Sequence, residues 1–171
     1  KNYISENESI NPINPYGNTK AAVEKLLFDV ADCQTNKEAI QKSSRSGWRI
    51  ARLRYFNPVG AHYSGLIGES PKNIPNNLFP MICRVAIGKI DTLEVFGNDW
   101  PTPDGTGIRD YIHVIDLASG HIAALNYLLN SEPQLLTLNL GTGQGTSVIQ
   151  AVKTFEMVSK QKIKFKVLDR R

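Results

Sequence analysis

"NPYGNTKAAVEKLLFDV" (Asn14–Val30) starts as a turn and becomes a helix, and the rest of the chain is read outward from it. Ala22, Val23, Leu26, Leu27, Val30 and Ala31 recur at helical spacing and form one apolar stripe. Tyr16 and Lys20 stand four residues apart at the start of the same helix, so both side chains point the same way. Beyond the polar connection "KEAIQKSSRSG" (37–47), "WRIARLRYF" (48–56) reads as a strand. Residues 57–75 are rich in Gly, Pro, Ser and Asn and form a loop of a length that is usually functional. A helix over 77–88 follows, with a proline that should distort or delay its start. Then come a strand at 92–97, a polar loop at 98–110, a short strand at 111–114 and a helix at 116–130. A strand at 135–140 and a helix at about 147–159 complete the alternation, which argues for an α/β domain with a largely parallel sheet.

Composition narrows the class. With 171 residues, 41% hydrophobic and 21% charged, the chain is long enough for one domain with a real core. It holds no apolar run approaching the roughly 20 residues of a membrane helix. "KNYISENESI" is polar and acidic, unlike a secretory or transit leader, and the chain does not start with Met. Cys33 and Cys83 lie in apolar helical contexts, so both are expected to be buried thiols of a reducing, cytoplasmic compartment. Six of the twenty basic residues fall in "KQKIKFKVLDRR" (160–171), whose period of two predicts a strand with lysines on its wet face. No aromatic stacking pattern accompanies them, so nucleic-acid binding is not expected.

A phenol with a pKa near 10 is a poor base at pH 7. An ammonium close by favours the phenolate and lowers that pKa, so Tyr16 and Lys20 together suit general acid–base catalysis. The spacing alone is more often that of a surface tyrosine near a helix start.

"NPYGNTK", "LRYFNPVGAH", "GIRDYIHVIDLASGH" and "NLGTGQG" resemble the nucleotide-sugar branch of the extended short-chain dehydrogenase/reductases. "HYSGLIGESPKNIPNNLFP" (62–80) and "VFGNDWPTPDGTGIRDYIHV" (95–114) make the chain similar, within that branch, to the UDP-glucose 4-epimerase family. The resemblance runs from about Tyr3 to Arg171 and keeps the order and spacing of five motifs. It implies part of a Rossmann-type doubly wound parallel sheet plus most of a smaller α/β substrate domain. Residues 1–56 would be the C-terminal part of an NAD-binding domain. Residues 57–171 would be a UDP-sugar domain, incomplete at its C-terminus, with 111–130 returning to the first domain.

The resemblance also implies the chemistry. The Tyr16 phenolate would take the sugar 4-hydroxyl proton, NAD would take and return the hydride, and Lys20 would hydrogen-bond the cofactor ribose. Phe56 matches a position that contacts NAD, and Asn57 one that contacts the UDP-hexose. Asn77 and Leu78 match contacts near the diphosphate, and Asn76 or Asn77 is a candidate helix cap there. Glu94, Val95 and Phe96 match the strand lining the uracil pocket, Glu94 least securely if backbone atoms carry the contact. Arg109 and Arg171 match diphosphate arginines, whose forks suit phosphate oxygens. The alternative for Arg109 is a salt bridge to Asp104 or Asp110. A homodimer of the full-length protein is expected from the family.

Other features read as structural. "GTGQG" (141–145) lacks the third dinucleotide-loop glycine, since Thr146 stands there, and is expected to be a tight turn with a Thr or Ser helix cap. His62, His113 and His121 lack metal-ligand spacing, and the pairing of His113 with Asp116 has no serine motif beside it. The family's Gly-x-x-Gly-x-x-Gly loop, and its Ser or Thr near the Tyr-x3-Lys helix, are not in the chain. Both are expected upstream of Lys1, so the chain is expected to be an internal piece and inactive if expressed alone. A dehydratase or decarboxylase of the same scaffold, or a non-catalytic nucleotide-sugar-binding protein, are the competing readings.

Overall fold

The computed structural model describes residues 3–33, 47–69, 71–73 and 75–170. All but the last residue of the connection expected at 37–47, and Arg171, lie outside them. The chain divides into two units. One comprises Lys1–Tyr55 and Asp116–Leu140, the other Phe56–Ile115 and Gly141–Arg171.

In the first unit, helix α1 spans Pro15–Asp32. Pro15 opens it, where its missing N–H has no helical partner to lose. Asn14 caps it, its side chain accepting from the Gly17 N–H at 2.7 Å. Strand β1 (Arg49–Tyr55) pairs in parallel with a strand far downstream, Gln134–Leu140, from Arg49 opposite Gln134 to Tyr55 opposite Leu140. β1 is tied to α1 by charge: the Arg54 guanidinium donates to both Glu24 carboxylate oxygens at 2.7 and 2.6 Å, and Arg52 lies 3.4 Å away. The Arg54 hydrogen bonds hold the Glu24 carboxyl below its ordinary range. Glu6 accepts from the Asn139 N–H at 2.8 Å, fastening the N-terminal segment to the same strand. The apolar stripe of α1 faces outward: Val23, Leu26 and Val30 are exposed, and no residue of the helix is buried.

The second unit holds β2 (Asn57–Val59), α2 (Leu78–Ala86), β3 (Leu93–Phe96) and β4 (Ile108–His113). Helix α3 (Val114–Leu129) begins here and continues in the first unit, where it is followed by Gln134–Leu140, labelled β5. Then come β6 (Gly145–Ser147), α4 (Val148–Ser159) and β7 (Phe165–Leu168). β4 is central in a three-stranded sheet, parallel to β2 and antiparallel to β6. β3 and β7 pair in parallel. The core between these elements is Ile82, Val85, Leu93, Val95, Val152 and Ile163.

Three local expectations are corrected. Pro80 neither distorts nor delays its helix, because it is the third residue of α2, inside the first turn whose N–H groups have no helical acceptor anyway. Cys33 and Cys83 are exposed rather than buried. Cys33 sits at the C-cap of α1, and on α2 the core-facing positions beside Cys83 are taken by Ile82 and Val85. The alternating C-terminal stretch forms a strand only over Phe165–Leu168: Lys160 ends α4 in the left-handed conformation at φ 59°, and only Ile163 of the apolar set reaches the core. Among the described residues, no helix is long and apolar enough to cross a membrane.

Candidate functional site

The second unit contains an open cavity of about 290 Å³ at the carboxyl end of β2 and the amino end of α2. Phe56, Asn57, Asn77, Leu78 and Arg109, five residues singled out from the sequence, line it together. It also takes in Glu69, Phe79 and Tyr111, which sequence reasoning did not single out. The signal for Tyr111 was its place two residues beyond Arg109, on the same face of a strand.

β2 and β4 run side by side with Asn57 opposite Tyr111, which brings the loop after β1 against the "RDY" of β4. The Asn57 side-chain amide donates to the Asp110 carbonyl at 3.1 Å, leaving its own carbonyl oxygen available. Asn77, one of the two candidate caps, occupies the N-cap position of α2, but its side chain makes no capping hydrogen bond. The amides of the first turn therefore stay unengaged by Asn77, at the positive end of the helix dipole. Phe79 meets Tyr111 edge to face at 5.2 Å and closes the apolar wall. Burial pushes the Tyr111 hydroxyl pKa up, opposed by the Arg109 charge.

Arg109 pairs with neither Asp104 nor Asp110. Its only side-chain hydrogen bond among the described residues runs to the Ile108 carbonyl at 2.9 Å, so the guanidinium keeps most of its donors. Both acids are engaged elsewhere. Asp104 accepts from the Thr106 N–H at 3.0 Å, the Thr106 hydroxyl at 2.7 Å and the Ser147 hydroxyl. Those bonds hold its carboxyl below the usual range, the Ser147 bond most strongly. Ser147 is in turn the N-cap of α4 in a capping box with Gln150, so "GTGQGTS" is a turn leading into a Ser cap.

Glu94, Val95 and Phe96 do not line this cavity. Val95 points into the core, and Glu94 lies on the opposite side of β3 with its carboxylate 3.0 Å from Lys166. Any contact from Val95 to a ligand would have to be a backbone contact. The outer edge of β3 carries no strand among the described residues.

In the first unit, Tyr16 and Lys20 share a face of α1, with the Lys20 ammonium 5.2 Å from the Tyr16 ring centre. Tyr16 is 72% exposed, and Lys20 makes no ion pair among the described residues. His113 accepts from the Ile115 N–H through Nδ1 at 3.2 Å, a structural bond at the start of α3.

A model of the NAD dependent epimerase/dehydratase family matches residues 1–141. The UDP-glucose 4-epimerase of Bacillus subtilis (strain 168) is 49% identical over 168 residues, which make up 98% of this chain and 46% of that protein. The chain thus spans about half the length of the curated relatives it matches. Among solved structures, a UDP-glucose 4-epimerase from Stenotrophomonas maltophila with bound NAD and formylated UDP-arabinopyranose superposes with a TM-score of 0.86 at 46% identity. It covers 98% of this chain and 46% of that one. The UDP-glucose 4-epimerase of Bifidobacterium longum in complex with NAD+ and UDP also gives 0.86, at 42% identity over 100% of this chain and 48% of that one. With most of its length matched by the family model and its fold shared with these enzymes, the chain belongs to the NAD dependent epimerase/dehydratase family.

Proposed function

We propose that the full-length protein bearing this sequence interconverts UDP-glucose and UDP-galactose by epimerisation at the hexose carbon 4, using NAD. The observation that carries this reading is the cavity in which Asn57, Asn77, Leu78 and Arg109 come together. Arg109 holds an unpaired guanidinium there, beside the amino end of a nine-residue helix, and both favour an anion such as a diphosphate. Support also comes from relatives that are 4-epimerases and from neighbours solved with NAD and with UDP or a UDP-sugar.

Tyr16 and Lys20 fit a nicotinamide cofactor by the chemistry of their donors: an open phenol and a free ammonium stand on one helix face. Lys20 would hold the cofactor ribose by hydrogen bonds, and Phe56 would supply an apolar contact. When bound, NAD supplies a reversible hydride acceptor for the sugar carbon 4, so that the hexose passes through a 4-keto form. The Tyr16 phenolate takes the 4-hydroxyl proton and returns it, acting as base in one half of the reaction and acid in the other. Lys20, four residues along, favours the phenolate by its charge. Asn57 and Arg109 hold the UDP portion, with Asn77 and Leu78 at the diphosphate. The backbone of Glu94 to Phe96, on the open edge of β3, is the surface assigned to the base, and Arg171 a second diphosphate contact. A homodimer would use the exposed apolar stripe of α1, and two cysteines with no disulfide suit a cytoplasmic enzyme.

The test is Tyr16→Phe in the full-length protein, with product analysis by sugar chromatography. Turnover of UDP-galactose should fall by about 10²- to 10⁴-fold, the range for a general acid–base group, while UDP binds as before. Undiminished turnover in the variant, or a 6-deoxy-4-keto product from the wild type, would overturn the reading.

A further inference from the structure

Asp110 does not line the cavity, yet its main chain holds Asn57, which does, and its side chain holds a turn packed against Phe56, which does too. Its side chain points away from Arg109, because successive residues of a strand face opposite sides. On that far side the carboxylate accepts three hydrogen bonds from the turn after β5. One oxygen takes the Thr142 N–H at 3.0 Å and the Thr142 hydroxyl at 2.8 Å, and the other takes the Gly143 N–H at 2.8 Å. Its main-chain carbonyl takes the Asn57 side-chain amide at 3.1 Å. The turn it holds is packed against Phe56. A methyl group on Gly141 would lie 2.5 Å from the Phe56 ring and 2.8 Å from the Asp110 carboxylate. Phe56, Asn57 and the 141–143 turn are therefore fastened as one block around a single residue.

We propose that Asp110 is a positioning residue for binding of the nucleotide diphosphate: by anchoring β4 to the 141–143 turn, its carboxylate fixes the main-chain carbonyl that orients Asn57. No cation pairs with Asp110 among the described residues, and its lone pairs are taken by N–H and hydroxyl donors. This inference rests on the cavity being the UDP subsite.

The experiment uses the full-length protein, with UDP titrated by calorimetry and UDP-galactose kinetics measured alongside. Asp110→Ala should raise the UDP Kd and the substrate KM by about tenfold, with kcat changed less than twofold, since the effect is on binding. Asp110→Asn should fall between, because its oxygen retains both Thr142 bonds while its amide opposes the Gly143 N–H. Combined with Asn57→Ala, the Asp110→Ala loss should be less than additive, as expected when one residue acts through the other. Gly141→Ala keeps every charge and pushes on the same block, so it should also weaken UDP several-fold, and it covers the case of Asp110→Ala failing to fold. Wild-type UDP affinity in Asp110→Ala or in Gly141→Ala, or strict additivity with Asn57→Ala, would overturn the proposal. Failure of the wild type to bind UDP would instead overturn the reading of the cavity itself.

Discussion

Replacing Asp104 by alanine should cost the protein about 3 kcal/mol, although Asp104 is itself exposed. The magnitude follows from its three donors. The Thr106 N–H, the Thr106 hydroxyl and the Ser147 hydroxyl all end on this carboxylate, and Thr106 and Ser147 are only 1% and 2% exposed. A buried donor left without an acceptor costs about 1–3 kcal/mol, and water reaching the vacated position puts each of the three near the lower value. Asp104→Asn should cost only about 1 kcal/mol, because one amide oxygen still accepts both Thr106 bonds and only the Ser147 hydroxyl proton is orphaned. pH gives an independent check. The Asp104 carboxyl is held below its ordinary value, so its contribution is complete above the unfolded-state pKa and is lost as pH falls through the lowered native value. The wild type should therefore lose stability below about pH 4 more steeply than Asp104→Asn does. Urea unfolding of the full-length protein at pH 7 and at several acid values measures both effects. Equal losses for the Ala and Asn variants, or a loss under 0.5 kcal/mol for Ala, would refute the argument that the loop is held by satisfied buried donors (about 0.5 kcal/mol being the ordinary surface effect).

Three further outcomes are expected. Gly105→Ala should destabilise strongly, since Gly105 has φ +75° and its added carbon would collide with the Asn98 carbonyl; circular dichroism melts report it. Ile82→Ala, at a fully buried core position, should lower unfolding free energy by about 2–5 kcal/mol without altering the fold seen by circular dichroism. Glu24→Gln should cost about 2 kcal/mol at pH 7 by leaving Arg52 and Arg54 without their carboxylate. Because the Glu24 carboxyl is lowered in the native state, that difference should shrink as the pH of a denaturation series falls below about 4.5.

Local periodicity was readable and long-range placement was not. The stripe from Ala22 to Ala31 marks α1 as a helix, but period alone does not say what covers a stripe, and Val23, Leu26 and Val30 stand exposed. β2 is three residues long and contains Pro58, so nothing in its composition distinguishes it from loop; its partner β4 makes it a strand. The cavity was half legible. Phe56, Asn57, Asn77, Leu78 and Arg109 were reached through their motifs, and the fold does gather them. Asp104 and Asp110 were considered only as counter-ions of Arg109, because charge is visible in a sequence while acceptors such as Thr106, Thr142 and Ser147 acquire meaning only from the fold. The cysteines went wrong for a related reason: an apolar neighbourhood along the chain is not an apolar neighbourhood in space.

The parallel pairing of β1 with β5 has a bearing on biosynthesis. Partners such as Arg52 and Thr137 are 85 residues apart. At a translation rate of roughly 5–20 residues per second, β1 leaves the ribosome about 4–17 seconds before the strand that completes that edge exists. During that interval a run containing Ile50, Ala51 and Leu53 presents unsatisfied amides and carbonyls to any extended segment nearby. The arginines at 49, 52 and 54, spaced along it, supply mutual repulsion between nascent chains, and they find their native acceptors at Ser131, Thr137 and Glu24, respectively, once the chain closes. Replacing them with neutral residues would show itself in soluble yield from living cells before it showed in any property of the purified protein.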